Sequence, residues 1–501
     1  MKHILTTMAI TALIALSAHG QHGTPNWSIP HYDFRDSFSP TANLKQWPYS
    51  NIAVTTNDKR VVMVERVNPP NQGIYLVNSY DGITWNTPLL FNPALQSGAD
   101  ILFPKMQGDK NGKLHFVWHS NALSALFYTQ LDTAFNVLID SVRIADNSTF
   151  GIYVGSFVTI DRQGRIHIMW HEGDNINQSQ TSEAFYCRSI DGGNTFSSPS
   201  LISNDDGKNS AWPWAEYSAY NGDTLMIAWR DQVSGADWDI QYVLSYNGGV
   251  NWTIPHTLDS QPGYQADPDV VISPDGSFHV FTHETPFANT FHTSLRMYHR
   301  MSNDRGQSWT SPIQLSANER SLVSECSRYD LTTNTLWTFY KESGSSSISG
   351  DLMAVYSTNN GVTWSSPEYF TDEDTLIIGQ RGIAFLTDGR PVANYEVPYG
   401  SGITVKFTER LNTPLSVPVN NVSNAYIQVF PNPANENIAI SIDDSEKVKI
   451  DVFDVLGKHI YSFNNITNTF NLNTSSLKNG IYYLHIYNEL YSETEKIIIQ
   501  H

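Results

Sequence analysis

A turn rich in Asp, Gly and Asn recurs along this chain at a nearly constant interval, and that interval sets the architecture. "SIDGGNTFSSP" begins at residue 189, "SYNGGVNWTIP" at 245, "SNDRGQSWTSP" at 302 and "STNNGVTWSSP" at 357, with a shortened copy, "SYDGITWNTP", at 79. Their aromatic residues, Trp85, Phe196, Trp252, Trp309 and Trp364, stand 111, 56, 57 and 55 residues apart. The first interval is two periods, and a decayed copy, "TQLDTAF" ending at Phe135, fills the gap. A period near 56 that holds several short strands indicates propeller blades rather than helical arrays.

A second element recurs with the same period. Hairpins such as "DKNGKLHFVWHS" (109–120), "DRQGRIHIMWHE" (161–172) and "YNGDTLMIAWRD" (220–231) have counterparts beginning at 55, 273, 332 and 386. An Asn-Gly or Asp-Gly between apolar strands is a hairpin signal. Each unit therefore reads as inner strand, hairpin, second strand, loop, third strand, Asp-rich turn and outer strand. The expectation is an all-β chain built on a seven-bladed β-propeller, six being the alternative if one terminal hairpin lies outside the ring. The seventh unit has no turn motif before residue 411, so the segment "HYDFRDSFS" (31–39) is expected to supply its outer strand and close the ring.

Composition excludes some functions. A net charge of −19 is the wrong sign for a nucleic-acid partner, whose affinity comes from clustered Lys and Arg. Residues 1–20 carry Lys2 and His3, an apolar run and the small residues Ala18 and Gly20, the pattern of a cleaved signal peptide. No later run reaches the roughly 18 apolar residues of a membrane span, so the product is expected to be secreted or attached to the outer-membrane surface. The only cysteines, Cys187 and Cys326, fall in different repeats; two separate buried thiols are favoured over a bridge, and neither suggests a metal site.

The pattern Ser-x-Asp-x-Gly-x-Thr-Trp resembles the Asp-box, or BNR repeat, of the sialidase family. Its key positions here are Asp81, Asp191, Asn247, Asp304 and Asn359, expected to hold the turn through hydrogen bonds rather than to bind metal. The resemblance implies a sialidase-like propeller over 27–410. Residues 411–424, "LNTPLSVPVNNVSN", read as a linker, and 425–501 alternate like a small β-sandwich. That last segment resembles the type A C-terminal sorting domain of the type IX secretion system, through Pro431-Asn432-Pro433, Gly457-Lys458 and Leu477-x-x-Gly480-x-Tyr482. The resemblance implies export across the outer membrane of a Bacteroidetes-type bacterium, with the secretion machinery as partner.

Candidate chemistry follows from strand direction. Second-strand ends and inner-strand starts share one face of a propeller, away from the hairpins and Asp-rich turns. The second strands end in His119, His171-Glu172, Arg230-Asp231, His283-Glu284, Lys341-Glu342 and Glu396, and inner strands begin near Lys105, Trp212, Trp214, Glu216, Asp267, Asp269, Glu325, Arg328 and Arg381. Carboxylates, guanidinium groups and flat rings around a mouth suit a carbohydrate ligand; the plainer reading is a polar rim. His115, His167 and His279 lie inside second strands and read as core residues. No HExxH, paired-Cys or EF-loop spacing occurs, so no metal and no cofactor is expected.

The sialidase resemblance implies further roles. Glu216 and Arg230 in "EYSAYNGDTLMIAWR" match the family's Glu–hairpin–Arg arrangement, in which the Glu polarises a tyrosine nucleophile. Tyr329 in "SECSRYD" is the nearest tyrosine, Asp100 stands where a general acid is expected, and Arg230, Arg328 and Arg381 would complete an arginine triad. The early Arg-Ile-Pro signature is absent, Arg35 in "DFRDS" standing nearest to it. The expected function is a carbohydrate-active enzyme, a glycoside hydrolase or polysaccharide lyase, with a non-catalytic glycan- or protein-binding adhesion propeller as the alternative.

Overall fold

The computed structural model describes residues 27, 32–38, 42–45, 51–67, 73–91, 101–146, 153–172, 182–217, 223–235, 237–260, 263–285, 296–316, 326–343, 350–371, 379–399, 402–411, 427–442, 447–454, 459–487 and 492–501. The chain divides into two compact units, Met1–Leu415 and Ser416–His501. The signal-peptide segment 1–20, Asp100 and most of the linker lie outside the described residues.

In the first unit the described residues form seven antiparallel blades. Their innermost strands are Ile52–Val54, Leu102–Gly108, Tyr153–Ile160, Ser210–Tyr217, Tyr264–Ile272, Cys326–Asp330 and Gly379–Phe385. Each pairs with a second strand: Arg60–Arg66, Leu114–Ser120, Ile166–Glu172, Leu225–Ser234, Phe278–Thr285, Thr335–Ser343 and Pro391–Tyr399. The innermost strands neighbour one another in an unbroken cycle from blade one to blade seven and back to blade one. That cycle is a closed propeller.

Closure uses the chain's own start. Tyr32 and Asp33 pair with Phe407 and Lys406 as the outer strand of blade seven, and Trp27 bridges Arg410 just beyond. Trp27 is buried against Phe339 and Phe370, and its indole donates to Glu368, which also accepts from Arg410. Arg35, the nearest counterpart of the sialidase signature, lies on this outer rim, bonded to Asp33 and stacked over Tyr399. It is therefore a closing residue, held away from the axis by the strand it follows.

Core packing explains why the second strands read as nearly continuous apolar runs. Both faces of each sheet are covered by neighbouring blades. Val61, Met63 and Leu76 of blade one pack with Leu114, Phe116 and Trp118 of blade two, whereas Val117 of blade two packs with Val158, Ile168 and Trp170 of blade three. Cys187 is a buried free thiol in that second cluster.

The Asp-rich turns do more than reverse the chain. In each of the five copies the Ser hydroxyl accepts from the turn glycine's N–H and donates to the Asp or Asn oxygen, which in turn accepts an amide further along the turn. The turn aromatic then meets a third-strand ring of the preceding blade edge to face. The centroid separations are 5.0 Å for Trp85–Phe407, 5.1 Å for Phe196–Tyr128, 4.9 Å for Trp252–Tyr186, 5.5 Å for Trp309–Tyr242 and 5.1 Å for Trp364–His299. Blade two, with the decayed copy, substitutes a cation: Lys59 of blade one donates to the Thr133 carbonyl and lies 4.5 Å from the Phe135 ring centre. Blade seven, with no turn, sets Arg410 over Trp337 and Tyr356 of blade six at 5.1 and 5.3 Å.

The second unit is a small sandwich of two antiparallel sheets. One contains Ile427–Phe430, Asn437–Ile442 and Thr469–Asn473; the other contains His459–Ile466, Val448–Asp454, Gly480–Tyr487 and Ser492–Ile499. Alternate residues such as Ile438, Ile440, Ile450, Val452, Leu484 and Ile486 fill its core.

Two adjacent glycines of one turn separate backbone strain from the inter-blade contact. Gly192 has φ 76° with open space where a Cβ would stand; Gly193 has φ 100°, and a Cβ there would come 2.5 Å from Tyr128. Gly192→Ala is expected to cost about 1–2 kcal/mol in denaturant unfolding, the usual left-handed penalty. Gly193→Ala is expected to cost about 2 kcal/mol more through overpacking; equal costs would remove the contact from the account of stability.

Candidate functional site

The antiparallel blades put second-strand ends and inner-strand starts at one end of the ring, opposite the hairpins and Asp-rich turns. Seven equivalent second-strand positions there carry Glu65, His119, His171, Arg230, His283, Lys341 and Glu396, one per blade. They do not line an open mouth. All but Glu65 are buried, because successive strand residues point to opposite faces of a sheet and both faces look at neighbouring blades rather than at the axis.

Arg230 shows this placement in detail. It faces blade five, donates to the Tyr264 hydroxyl at 2.7 Å, lies 5.0 Å from the Trp238 ring centre and is 9% exposed. His171 approaches it from blade three. Burial, and then the Arg230 charge, push this imidazole down to about 3, so it is neutral at ordinary pH. His119 is buried and stacks on Phe103 of its own blade, and His283 is buried as well.

Three carboxylates expected to bind substrate point the other way, toward the preceding blade. Glu172 accepts from the Trp170 indole at 2.9 Å, and Asp231 accepts from Ser210 Oγ at 2.6 Å and from the Trp229 indole at 3.4 Å. Glu284 accepts from Thr282 Oγ1 at 2.5 Å, and Arg300 donates to both of its oxygens. Arg300 also reaches Asp259 of blade four at 2.6 Å. Of these bonds the one from Arg300 to Asp259 crosses a seam; the others lie within a blade.

What does reach the axis is the innermost strand, and it is bulged. Register shifts occur between Leu102 and Lys105, Val154 and Phe157, Ala211 and Trp214, Ala266 and Asp269, and Gln380 and Gly382, always one step inside the mouth. A bulge breaks the ladder and re-aims its residues, and bulges gather beside active sites. Pro104, Pro213 and Pro268 sit in three of them, where no ladder donor is needed. Phe103 adopts φ 50°. Trp212 and Arg381 also fall in bulges, and Glu216 and Trp214 follow one; for these four the structure describes the backbone alone. Glu216 pairs with Met226 and Arg328 with Trp337, the same level of the wall two blades apart.

Tyr329 lies elsewhere. It pairs with Leu336 at the hairpin half of blade six, where Asp275 and Asp330 act on its phenol and burial pushes its pKa up. It is therefore too deep for a nucleophile at the mouth. His115, His167 and His279 also occupy the hairpin half, bonded to Tyr128, Tyr186 and His299. The turn carboxylates Asp81, Asp191 and Asp304 are each held down to about 2 by hydrogen bonds from their own turns. Among the described residues no three His, Cys, Asp or Glu side chains come together as a metal site, and no helix is long and apolar enough to cross a membrane.

Sequence reading missed the bulges of the inner wall, and with them Tyr264 and Trp238 beside Arg230. The prolines were the available signal, since Pro inside a run that otherwise reads as a strand marks an edge or a bulge. It also missed an acidic corner between blades three and four. Glu183 is buried, with Oε2 accepting from Ser203 Oγ at 2.5 Å and Oε1 unpartnered. Burial, reinforced by Asp205, Asp206 and Asp231, pushes it up to about 7.

Residues 428–500 match the family model of the secretion system C-terminal sorting domain. This domain marks the chain for export, secreted or attached at the cell surface. No curated protein sequence matches the chain. Among solved structures, the fold is similar to an ulvan lyase of polysaccharide lyase family 25 (13% identity, 73% of this chain and 93% of that one, TM-score 0.49). It is also similar to a Dyadobacter fermentans protein of unknown function (12%, 63% and 96%, 0.45), and to a Penicillium chrysogenum α-L-arabinanase (15%, 61% and 92%, 0.42). With TM-scores of 0.49 or less, these likenesses establish no shared chemistry.

Glu183 supplies a pH test of the corner. Its proton is held more tightly folded than unfolded, so stability present below the ordinary carboxyl range is lost as pH rises toward about 7. Glu183→Gln is expected to stabilise the protein at pH 8 by on the order of 1–3 kcal/mol and to flatten the dependence of the thermal midpoint between pH 5 and 8. An unchanged slope in the variant would mean that the carboxyl is already ionised in the folded state.

Proposed function

We propose that this exported propeller takes an acidic glycan at its axial mouth and cleaves it. The observation that carries the reading is the ring of five bulges at one level, which gives one end of the wall irregular backbone and re-aimed side chains around a common axis. Arg230 and Arg381 stand on the strands at that end, Arg230 already clamped by Tyr264, with Arg328 opposite Trp337 deeper along the wall, and guanidinium groups suit carboxylate or sulfate substituents. Glu216 and the sialidase-like Asp-box pattern belong to the same proposal, Glu216 as the carboxylate of the wall.

Between the two cleavage chemistries the described residues favour elimination. Hydrolysis of the usual kind needs two carboxyl groups flanking the bond, and Glu172, Asp231 and Glu284 are already hydrogen-bonded inside their own blades, to Trp170, to Ser210 and Trp229, and to Thr282 and Arg300. Elimination needs a neutralised uronate and groups that move a proton, and the neutral His171 and the Tyr264 hydroxyl lie beside Arg230. A second reading, a binding or adhesion propeller without turnover, is favoured by the burial of His119, His171 and His283.

Incubation of the full chain with uronate-containing, sulfated and neutral polysaccharides separates these. Unsaturated ends are the expected product, saturated reducing ends would indicate hydrolysis, and retention without product the binding role. Arg230→Ala is expected to lower product release at least about tenfold, the loss of one charge-assisted contact. Neither retention nor product from any acidic polymer would overturn the proposal.

A further inference from the structure

We propose that the joint between blades five and six is a proton-operated latch: a chain of side chains from Asp275 through Asn360 and His279 to His299 closes it while both imidazoles are neutral, and acid opens this joint before its neighbours. The latch lies at the turn end of the ring and does not depend on the glycan reading of the mouth.

The chain fixes its own protons. A carboxylate only accepts, so Asn360 donates from Nδ2 to Asp275 Oδ2 at 2.6 Å, which leaves its Oδ1 facing His279 Nε2 at 3.1 Å. His279 Nε2 therefore carries a hydrogen, shared with the Ser273 hydroxyl oxygen at 3.2 Å, and the Ser273 proton goes to Asp275 at 2.6 Å. The Nδ1 of His279 is then bare and accepts from His299 Nε2 at 3.1 Å. Neutral His299 keeps a bare Nδ1 of its own, buried with no donor. Both residues are 0% exposed, so a proton arriving there finds neither water nor an acceptor.

Two features set this joint apart. Asn360 belongs to blade six, as do Gly361 and Trp364 that lie against His299, whereas Asp275 and both histidines belong to blade five. The comparable bonds of blades two and three, His115 to Tyr128 and His167 to Tyr186 and Asp161, stay within one blade. Opening the joint between five and six removes a member of the chain; opening the others leaves those bonds whole. The ring that meets the turn aromatic is also Phe or Tyr at the other four such joints and His only here. Burial, then the His279 and Arg300 charges, hold His299 well below the ordinary imidazole range. Burial holds His279 down to about 4, with Asp275 and the Asn360 bond pulling the other way. The other titratable and charged groups on the packed elements are Arg328, Tyr329 and Asp330 on the blade-six inner strand, Tyr340 and Lys341 on its second strand, and His283 and Glu284 at the mouth end of the His279 strand. The blade-six turn, 357–364, has none. Because both folded values lie below the ordinary one, the closed joint is fully held above about pH 6.5 and is weakened as pH falls below it.

Two indole N–H groups report on the joints. Trp364 Nε1 here and Trp252 Nε1 at the joint between blades three and four are both buried without an acceptor, so the closed joint is what protects each from exchange with solvent. Their hydrogen exchange is followed by NMR on the full chain carrying labelled tryptophan, at pH 7 and at pH 5, the signals being assigned with Trp364→Phe and Trp252→Phe. After correction for the intrinsic rate, protection of Trp364 is expected to fall about 25-fold for each histidine that opening hydrates, and that of Trp252 less than about threefold. His279→Met combined with His299→Tyr copies Met226 and Tyr242, which hold the same places in blade four, and is expected to make Trp364 behave as Trp252 does. Protection of Trp364 that falls no further than that of Trp252, or an excess fall that survives the double substitution, overturns the latch. If the doubly substituted chain does not fold, the two indoles of the unaltered protein decide alone.

Discussion

Five of the seven blades meet the one before them through a turn aromatic set edge to face on a third-strand ring, with a glycine beside it so that the ring can approach. The Ser and Asp or Asn oxygens consume the turn's own amides, which makes the turn rigid enough to present its aromatic at a fixed angle. An edge-to-face pair contributes about 0.5–1.5 kcal/mol beyond the area it buries. That is small for one seam. In a ring, however, every blade has two seams, and a blade that tilts away from one neighbour is driven into the other. The two irregular joints keep one ring and exchange the other for a cation: blade two's Phe135 meets Lys59 of blade one, and blade seven sets Arg410 against Trp337 and Tyr356 of blade six.

Much of this was legible in the residues. The spacing of Trp252, Trp309 and Trp364, the Asp-Gly and Asn-Gly hairpins and the missing seventh turn led to seven blades closed by the segment around Tyr32, and the pairing of Tyr32 with Phe407 is that closure. The partner of each turn aromatic was not legible, since Tyr128 and Phe196 are 68 positions apart (196 − 128) and nothing local joins them. The direction of the second-strand ends was not legible either. Alternation shows that His171 and Glu172 look to opposite sides; it does not show that both sides are covered. The near-continuous run "IHIMWHE" carried the hint, because a strand wet on one face would alternate apolar with polar.

Two groups of acids in the propeller have opposite chemistry. Asp81, Asp191 and Asp304 stand in water among donors that their own turns hold out to them, and their ionised form is the favoured one. Glu183, Asp239 and Asp269 stand in seams where burial dominates, so for them the neutral form is favoured. The first population loses its hold on the turns in strong acid; the second is relieved by mild acid. Between those limits lies a mildly acidic range in which these turn carboxylates are still ionised and these seam carboxyls are not.

The fastenings also decide where chemistry is permitted. Hairpins, Asp-rich turns and inter-blade rings all lie at one end of the ring, as the bond from Arg188 to the Gly248 carbonyl and that from Gln163 to Asp223 show for blades three and four. At the other end the blades meet through side chains such as Arg230 with Tyr264 rather than through turns. The innermost strands can therefore break their ladders there without loosening the ring, and five of them do. A bulge near the turns would displace a ring from its seat; the same bulge at the mouth only changes what the wall presents. The separation of a fastened end from an irregular one is what lets a scaffold of identical blades carry Lys105, Asp269 and Arg328 on equivalent strands of one wall.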